Sequence, residues 1–386
     1  MAILVQDVDQ QSKRNEFALH KILLNCLGVK FIHDKTEIRK LHVIMLIFVV
    51  ASYSFIELWE LIANIDDFDI VTNIILHLIG ILCNIVILCS EQRKIQKILE
   101  EMQKIPKMEN SILDKKNIVA IKYCFGPLYV VFILSAIFSM STRLIFADRL
   151  KWALPFTQIT IINVMESPTF EIIWFQQTLA FIVATCAYLI CEVMITSVLA
   201  HLCIHQYHYQ NLSNGIIFAF KENGGKQSIE QCIEGLIVRH VGVYDWSSQI
   251  QEAFSLIVFV VFGSDVLIIC FSAFHASLFP LTDAQCVRDL GIAVSVAVKT
   301  LIVCYYGNEV TLESESLTTA CFHAYVHIWN RNYHKALLMI IKKSQKPIKI
   351  AAGNFIPISL KTFIWIIRSS YSYFAVLRNR NDALPS

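Results

Sequence analysis

Charge is what this chain has least of. Of its 386 residues only 17% are Asp, Glu, Lys or Arg, and the formal net charge is +2. No basic excess points to nucleic acid as a partner. Set beside 55% hydrophobic residues and a mean hydropathy of +0.55, so little charge excludes an ordinary soluble enzyme of this size. Signatures of chemistry are missing as well. There is no glycine motif for a dinucleotide or phosphate, no nucleophile elbow and no HExxH helix, so neither a catalytic set nor a cofactor is expected. The opening "MAILVQDVDQQSKRNE" has no uninterrupted apolar run behind a basic segment, so a cleaved signal peptide is not expected and the first membrane helix is expected to direct insertion. Internal repeats and low-complexity tracts are absent too.

Cysteine is present twelve times, but without the paired spacing of a structural zinc site. "HLCIHQYHY", with His201, Cys203, His205 and His208, lacks a second ligand cluster and reads as a polar helix end leaving the membrane; no metal is expected. Cys83, Cys89, Cys124, Cys186, Cys191, Cys270 and Cys304 lie in or beside apolar runs, as packed or lipid-facing small residues. Cys286 is placed outside the cell, with no clear disulfide partner.

Long apolar runs are abundant. Seven can each cross about 30 Å of hydrocarbon as a helix: Leu41–Ala63, Ile70–Ser90, Phe125–Phe146, Glu171–Ala200, Ala253–His275, Leu290–Tyr306 and Phe355–Leu377. The fold class expected is all-α, a polytopic membrane protein with seven transmembrane helices. Basic residues set its orientation. Lys13, Arg14, Lys21, Lys30, Lys35, Arg39 and Lys40 precede the first run, and the loop from Arg93 to Lys122 is basic again. The opposite side carries little beyond Arg143, Arg149, Lys151 and Arg288. The N-terminus is therefore cytoplasmic and the C-terminus extracellular, the inverse of a G-protein-coupled receptor. The sequon at Asn211 falls on the cytoplasmic side, where it would not be glycosylated.

Four regions follow: a cytoplasmic segment 1–40, helices one to six over 41–306, cytoplasmic anchor helices over 307–354, and a seventh helix with a short tail over 355–386. The anchor is expected from "LTTACFHAYVHIW" and "HKALLMIIKKSQKP", whose helical pattern Pro347 breaks. The amphipathic stretch 90–105 gathers Ile95, Ile98, Leu99, Met102 and Ile105 on one face, and extends the second helix below the membrane.

The last run carries a polar stripe. At about 3.6 residues per turn, Lys361, Trp365, Arg368, Ser369, Ser372, Val376 and Asn379 fall on one side, and Phe363, Ile366, Ile367, Phe374 and Leu377 on the other. Polar groups facing hydrocarbon cost several kcal/mol, so this stripe must meet protein or water.

"CYYGNEVTLESESL" (Cys304–Leu317), "LLMIIKKSQKPIKIAAGNFIPISLKTF" (Leu337–Phe363) and "SSYSYFAVLRN" (Ser369–Asn379) together resemble the signature segments of insect odorant receptors. The resemblance implies an odorant-tuned subunit of a ligand-gated, non-selective cation channel in the plasma membrane of olfactory sensory neurons, tetrameric with a shared olfactory co-receptor. It further implies a pore lined by the seventh helices, with Ser372, Val376 and Asn379 on its wall and Val376 able to gate by dewetting, and an odorant pocket in the outer half of each subunit.

Outer halves of helices two, three, four and six offer Ile74, His77, Phe138, Ser141, Trp174, Gln177, Thr178, Phe181, Ile292 and Ser295. Such walls suit a small, mostly apolar volatile with one polar function. Lys299, in the middle of the sixth run, is expensive alone. It is either a counter-ion for an acidic odorant or a partner of Asp265 or Glu192. Other classes stay open: a gustatory-type channel of the same plan, a metabotropic chemoreceptor, or a transporter, although repeats and interrupted helices are not evident.

Overall fold

A computed structural model describes residues 37–63, 98, 168–180, 194–207, 226–281, 284–327 and 331–383. In chain order the helices are α1 (Glu37–Ala63), α2 (169–180), α3 (194–207), α4 (Lys226–Ala276), α5 (Ala284–His327), α6 (Arg331–Ser344) and α7 (Leu360–Ala383). Between α6 and α7 lies a two-stranded antiparallel hairpin, β1 (Ala351–Ala352) with β2 (Ile356–Pro357). Among the described residues, the expectation of an all-helical chain holds apart from this hairpin.

Helix length is where periodicity fell short. The fifth and sixth apolar runs are only the C-terminal part of α4, with 51 residues, and the N-terminal part of α5, with 44. At 1.5 Å per residue these rods extend roughly 75 and 65 Å, at least twice the hydrocarbon thickness. The expected boundary at residues 306 and 307 falls inside α5, which continues unbroken to His327. No proline intervenes, so the polar "GNEVTLESES" stretch remains helical as it leaves the apolar run. Among the described residues, two helices are long and apolar enough to cross a membrane, over Ile233–Ala276 and Asp289–Val326.

Two buried clusters divide these rods. The larger joins α3 through Met194, Val198 and Leu202 to α4 through Trp246, Ile250, Phe254 and Ile257. It takes in Val303 and Cys304 of α5 and Ile366 of α7. Ile98, from the amphipathic stretch, is 1% exposed within it and packs on protein. The smaller cluster joins Ile233 and Leu236 of α4, Leu317 and Cys321 of α5, and Tyr333, Leu337 and Ile340 of α6. In α6 these three recur at one-turn spacing, which makes a short helix stable by docking its single apolar face. The Thr318 hydroxyl donates to the Ser344 carbonyl at 3.0 Å, satisfying one of the last carbonyls of α6.

The seventh run does not begin as helix. Phe355 lies in the hairpin loop, where Gly353 and Asn354 both adopt positive φ, 61° and 67°. Glycine reaches that region without strain, and asparagine is among the few other residues that tolerate it. The helix starts only at Leu360, where Ser359 caps it: its hydroxyl accepts from the Thr362 N–H at 3.4 Å. Gln251 of α4 clasps the hairpin. Its amide donates to the Ala351 carbonyl at 2.8 Å and to Asn354 Oδ1 at 2.7 Å, and its Oε1 accepts from the Ala351 N–H at 2.7 Å. Gly353 N–H adds a bond to the Ser255 carbonyl at 2.9 Å. Gln251→Leu strips both backbone groups of Ala351 of this partner. It is expected to cost about 1–3 kcal/mol, read as a lower unfolding temperature of the detergent-purified chain. An unchanged unfolding temperature would show that the clasp contributes nothing.

Candidate functional site: an exposed helix face and a membrane pocket

Helix α7 rests on α4 and α5 through a narrow stripe. Thr362, Ile366 and Ser370, four residues apart, are 6%, 0% and 2% exposed, while Phe363, Ile367, Phe374 and Leu377 are half-buried beside them. The opposite side is open. Lys361, Trp365, Arg368, Ser372, Val376 and Asn379 are all exposed, Val376 at 65%. Five of the seven stripe residues expected from periodicity are polar, and the whole stripe except the half-buried Ser369 lies on this open side. Ser372, Val376 and Asn379 thus share one line, with the Ser372 hydroxyl tied back to the Arg368 carbonyl at 3.0 Å. Tyr371 and Tyr373 are exposed as well.

The expected pocket residues divide by element. Trp174, Gln177 and Thr178 sit within two turns of α2. Trp174 packs with Phe170 and Ile173, and Gln177 is 1% exposed. On α5, Ile292 is half-buried and Ser295 is 6% exposed. Ile74, His77, Phe138, Ser141 and Phe181 lie outside the described residues. Sequence reasoning overlooked α1, which packs against α2 through Tyr53 and Ala180 and through a hydrogen bond from Gln176 Nε2 to Ser52 Oγ at 2.7 Å. Its Glu57 and Glu60 are both fully buried. The signal was available: Tyr53, Glu57 and Glu60 are one turn apart, and acids inside an apolar run rarely face lipid.

Lys299 is a structural cation. Its Nζ lies 2.8 Å from Asp265 Oδ1, with both side chains at most 3% exposed. The Thr300 hydroxyl meets the other carboxylate oxygen at 2.6 Å. This arrangement selects Asp265 from the two acids the sequence offered. Lys299 and Asp265 lie 34 residues apart on the antiparallel arms of one helical hairpin, which brings them level. A second buried pair joins His275 to Asp289 near the end of that hairpin.

The histidine-rich stretch is helical in α3. His201 Nδ1 bonds to the Ser197 carbonyl at 2.8 Å, His205 lies edge-on to Trp246, and Cys203 is buried; His208 lies outside the described residues. Among the described residues no three His, Cys, Asp or Glu side chains are grouped to hold a metal ion. Cys203, Cys270, Cys286, Cys304 and Cys321 are buried thiols.

Comparison with known proteins supplies the rest. A family model described as 7tm Odorant receptor matches residues 64–371. The chain is 32% identical over 158 residues to Putative odorant receptor 92a of Drosophila melanogaster, covering 40% of this chain and 38% of that one. It is 27% identical over 217 residues to Odorant receptor 10 of Aedes albopictus, covering 55% and 56%. The chain thus spans about half, or less, of the length of these curated relatives. In fold it is similar to the solved structure of the insect olfactory receptor OR5 from Machilis hrabei in complex with eugenol. The TM-score is 0.81 at 15% identity, covering 96% of this chain and 99% of that one.

Proposed function

This chain belongs to the 7tm odorant receptor family, and on that premise we propose that it is the odorant-binding subunit of a ligand-gated, non-selective cation channel. It assembles as a tetramer with a shared olfactory co-receptor in the plasma membrane of olfactory sensory neurons, with the N-terminus inside and the C-terminus outside. Regions 41–306, 307–354 and 355–386 act as odorant-binding bundle, cytoplasmic anchor and pore element.

The observation that carries this reading is the open face of α7. A membrane helix that leaves Lys361, Arg368, Ser372 and Asn379 exposed on its own subunit requires water or further protein along that face, because lipid satisfies none of these groups. A central aqueous path shared by several subunits meets the requirement. Val376, an apolar residue on the same line, then forms a ring narrow enough to gate conduction by dewetting.

Odorant binds in the outer half of each subunit, among Trp174, Gln177, Thr178, Ile292 and Ser295 together with Ile74, His77, Phe138, Ser141 and Phe181. The pairing of Lys299 with Asp265 removes that cation as a free counter-charge and favours a neutral volatile.

The test is whole-cell current from this chain with and without the co-receptor, during pulses of volatile alcohols, esters, acids and aromatics. Current is expected within the pulse and with G-protein signalling blocked. Val376→Ser should raise the ligand-free current several-fold by wetting the constriction, and substitution at Asn379 should alter ion selectivity or block. Surface-expressed protein that evokes second messengers without direct current would overturn the channel reading.

A further inference from the structure

Ser370 is the last fully buried side chain of α7 that the structure describes. From Tyr371 to Arg380 every residue is exposed or half-buried. The helix is therefore fully seated on its neighbours only over its first half, while its outer half, with Ser372, Val376 and Asn379, keeps only half-buried contacts through Phe374, Ala375 and Leu377. The seat ends in a specific bond. The Ser370 hydroxyl donates across to the Val266 carbonyl of α4 at 3.1 Å, and lies 2.9 Å from the Ile366 carbonyl of its own helix. Val266 adjoins Asp265, whose two carboxylate oxygens are held by Lys299 Nζ at 2.8 Å and the Thr300 hydroxyl at 2.6 Å. Lys299 lies one turn of α5 from Ser295, a residue of the proposed pocket.

We propose that Ser370 is the fulcrum of the outer half of α7, and that the Asp265–Lys299–Thr300 cluster positions it by holding the α4 backbone that accepts its bond. The inference rests on the channel reading above. A buried, fully partnered charge cluster has one favourable geometry, so it locks the level of α4 against α5 where Ser370 makes its bond. Displacement of α5 at Ser295 reaches Val376 through the cluster, across the Ser370 bond, and along six residues of helix, roughly 9 Å. Ligand energy enters this route as a difference in affinity between two positions of the same lever.

The experiment uses the full chain with the co-receptor, the most effective volatile of the panel above, and surface labelling to normalise current. Ser370→Ala is expected to shift half-maximal concentration and ligand-free current by about threefold, the scale of one interhelical hydrogen bond in a membrane, without changing ion selectivity. Ser370→Thr, which keeps the hydroxyl, should restore parental values. Asp265→Asn should shift both quantities in the same direction as Ser370→Ala, because both loosen one support. A helix-packing role alone would lower surface protein and leave the normalised concentration dependence unmoved. A parent chain that gives no current overturns the channel reading and the fulcrum with it. A responding parent with an unmoved Ser370→Ala, or opposite shifts in the two variants, overturns the fulcrum alone. Ser370→Ala leaves the charge pair intact and decides the matter even where Asp265→Asn fails to reach the surface.

Discussion

Lys299→Met is expected to lower the stability of the chain by about 3–5 kcal/mol, and Asp265→Leu by a similar amount, while the double variant recovers most of the loss. Each single change leaves an uncompensated charge in the interior, with side chains that are at most 3% exposed and no solvent to take the partner's role. Removing both takes away the attraction and the desolvation penalty together, leaving apolar side chains of similar reach between α4 and α5. Thr300 tempers the recovery, since its hydroxyl loses one acceptor but keeps the Val296 carbonyl at 2.8 Å. The measurement is thermal unfolding of detergent-purified protein, with surface abundance in cells as a second readout. Additive losses in the double variant would show that the two groups do not act as a pair.

Gly307→Val is the second large effect expected. A Cβ placed on Gly307 meets Ile358 at three atoms: Cγ2, the backbone carbonyl oxygen at 2.6 Å and Cβ at 2.7 Å. A side-chain collision alone could be relieved by a new rotamer. The carbonyl belongs to the main chain between β2 and the Ser359 cap, and Ile358 N–H is itself bonded to the Ile350 carbonyl at 2.9 Å. Relief therefore requires α5 and the hairpin to separate, and overpacking of this kind costs at least about 1–3 kcal/mol. Because the hairpin leads directly into α7, evoked current should fall further than surface abundance does. Pairing Gly307→Val with Ile358→Ala should restore only part of the loss, since the carbonyl remains. Full restoration would show that the contact is limited to side chains.

The exposed line of α7 and the buried charge pair were legible to different degrees. Trp365, Arg368, Ser372, Val376 and Asn379 could be placed on one side of α7 from spacing alone, because helical geometry is local and 3.6 residues per turn maps position to direction with little help from neighbours. The pair was legible only as a choice. Lys299 in an apolar run demanded an acid, and Asp265 and Glu192 were equally acceptable until the antiparallel contact of α4 with α5 set one of them level with it. Ser370 and Thr362 were harder. Neither belongs to the polar stripe or to the opposite apolar set; they are buried because carbonyls of α4 and of the hairpin accept their hydroxyl protons, and an acceptor on another element leaves no trace in local spacing.

The sequence by itself determined the class of molecule, the positions of the apolar runs in α4 and α5, the polar face of the last helix and the family, since all of these depend on composition and short-range periodicity. Tertiary structure decided how far α4 and α5 run past the apolar core, the hairpin that delays α7 to Leu360, the partner of Lys299 and the point where α7 leaves its seat. The physical reason is that each of these depends on contacts between residues distant in the chain, and no window of neighbouring residues carries the energy of such a contact.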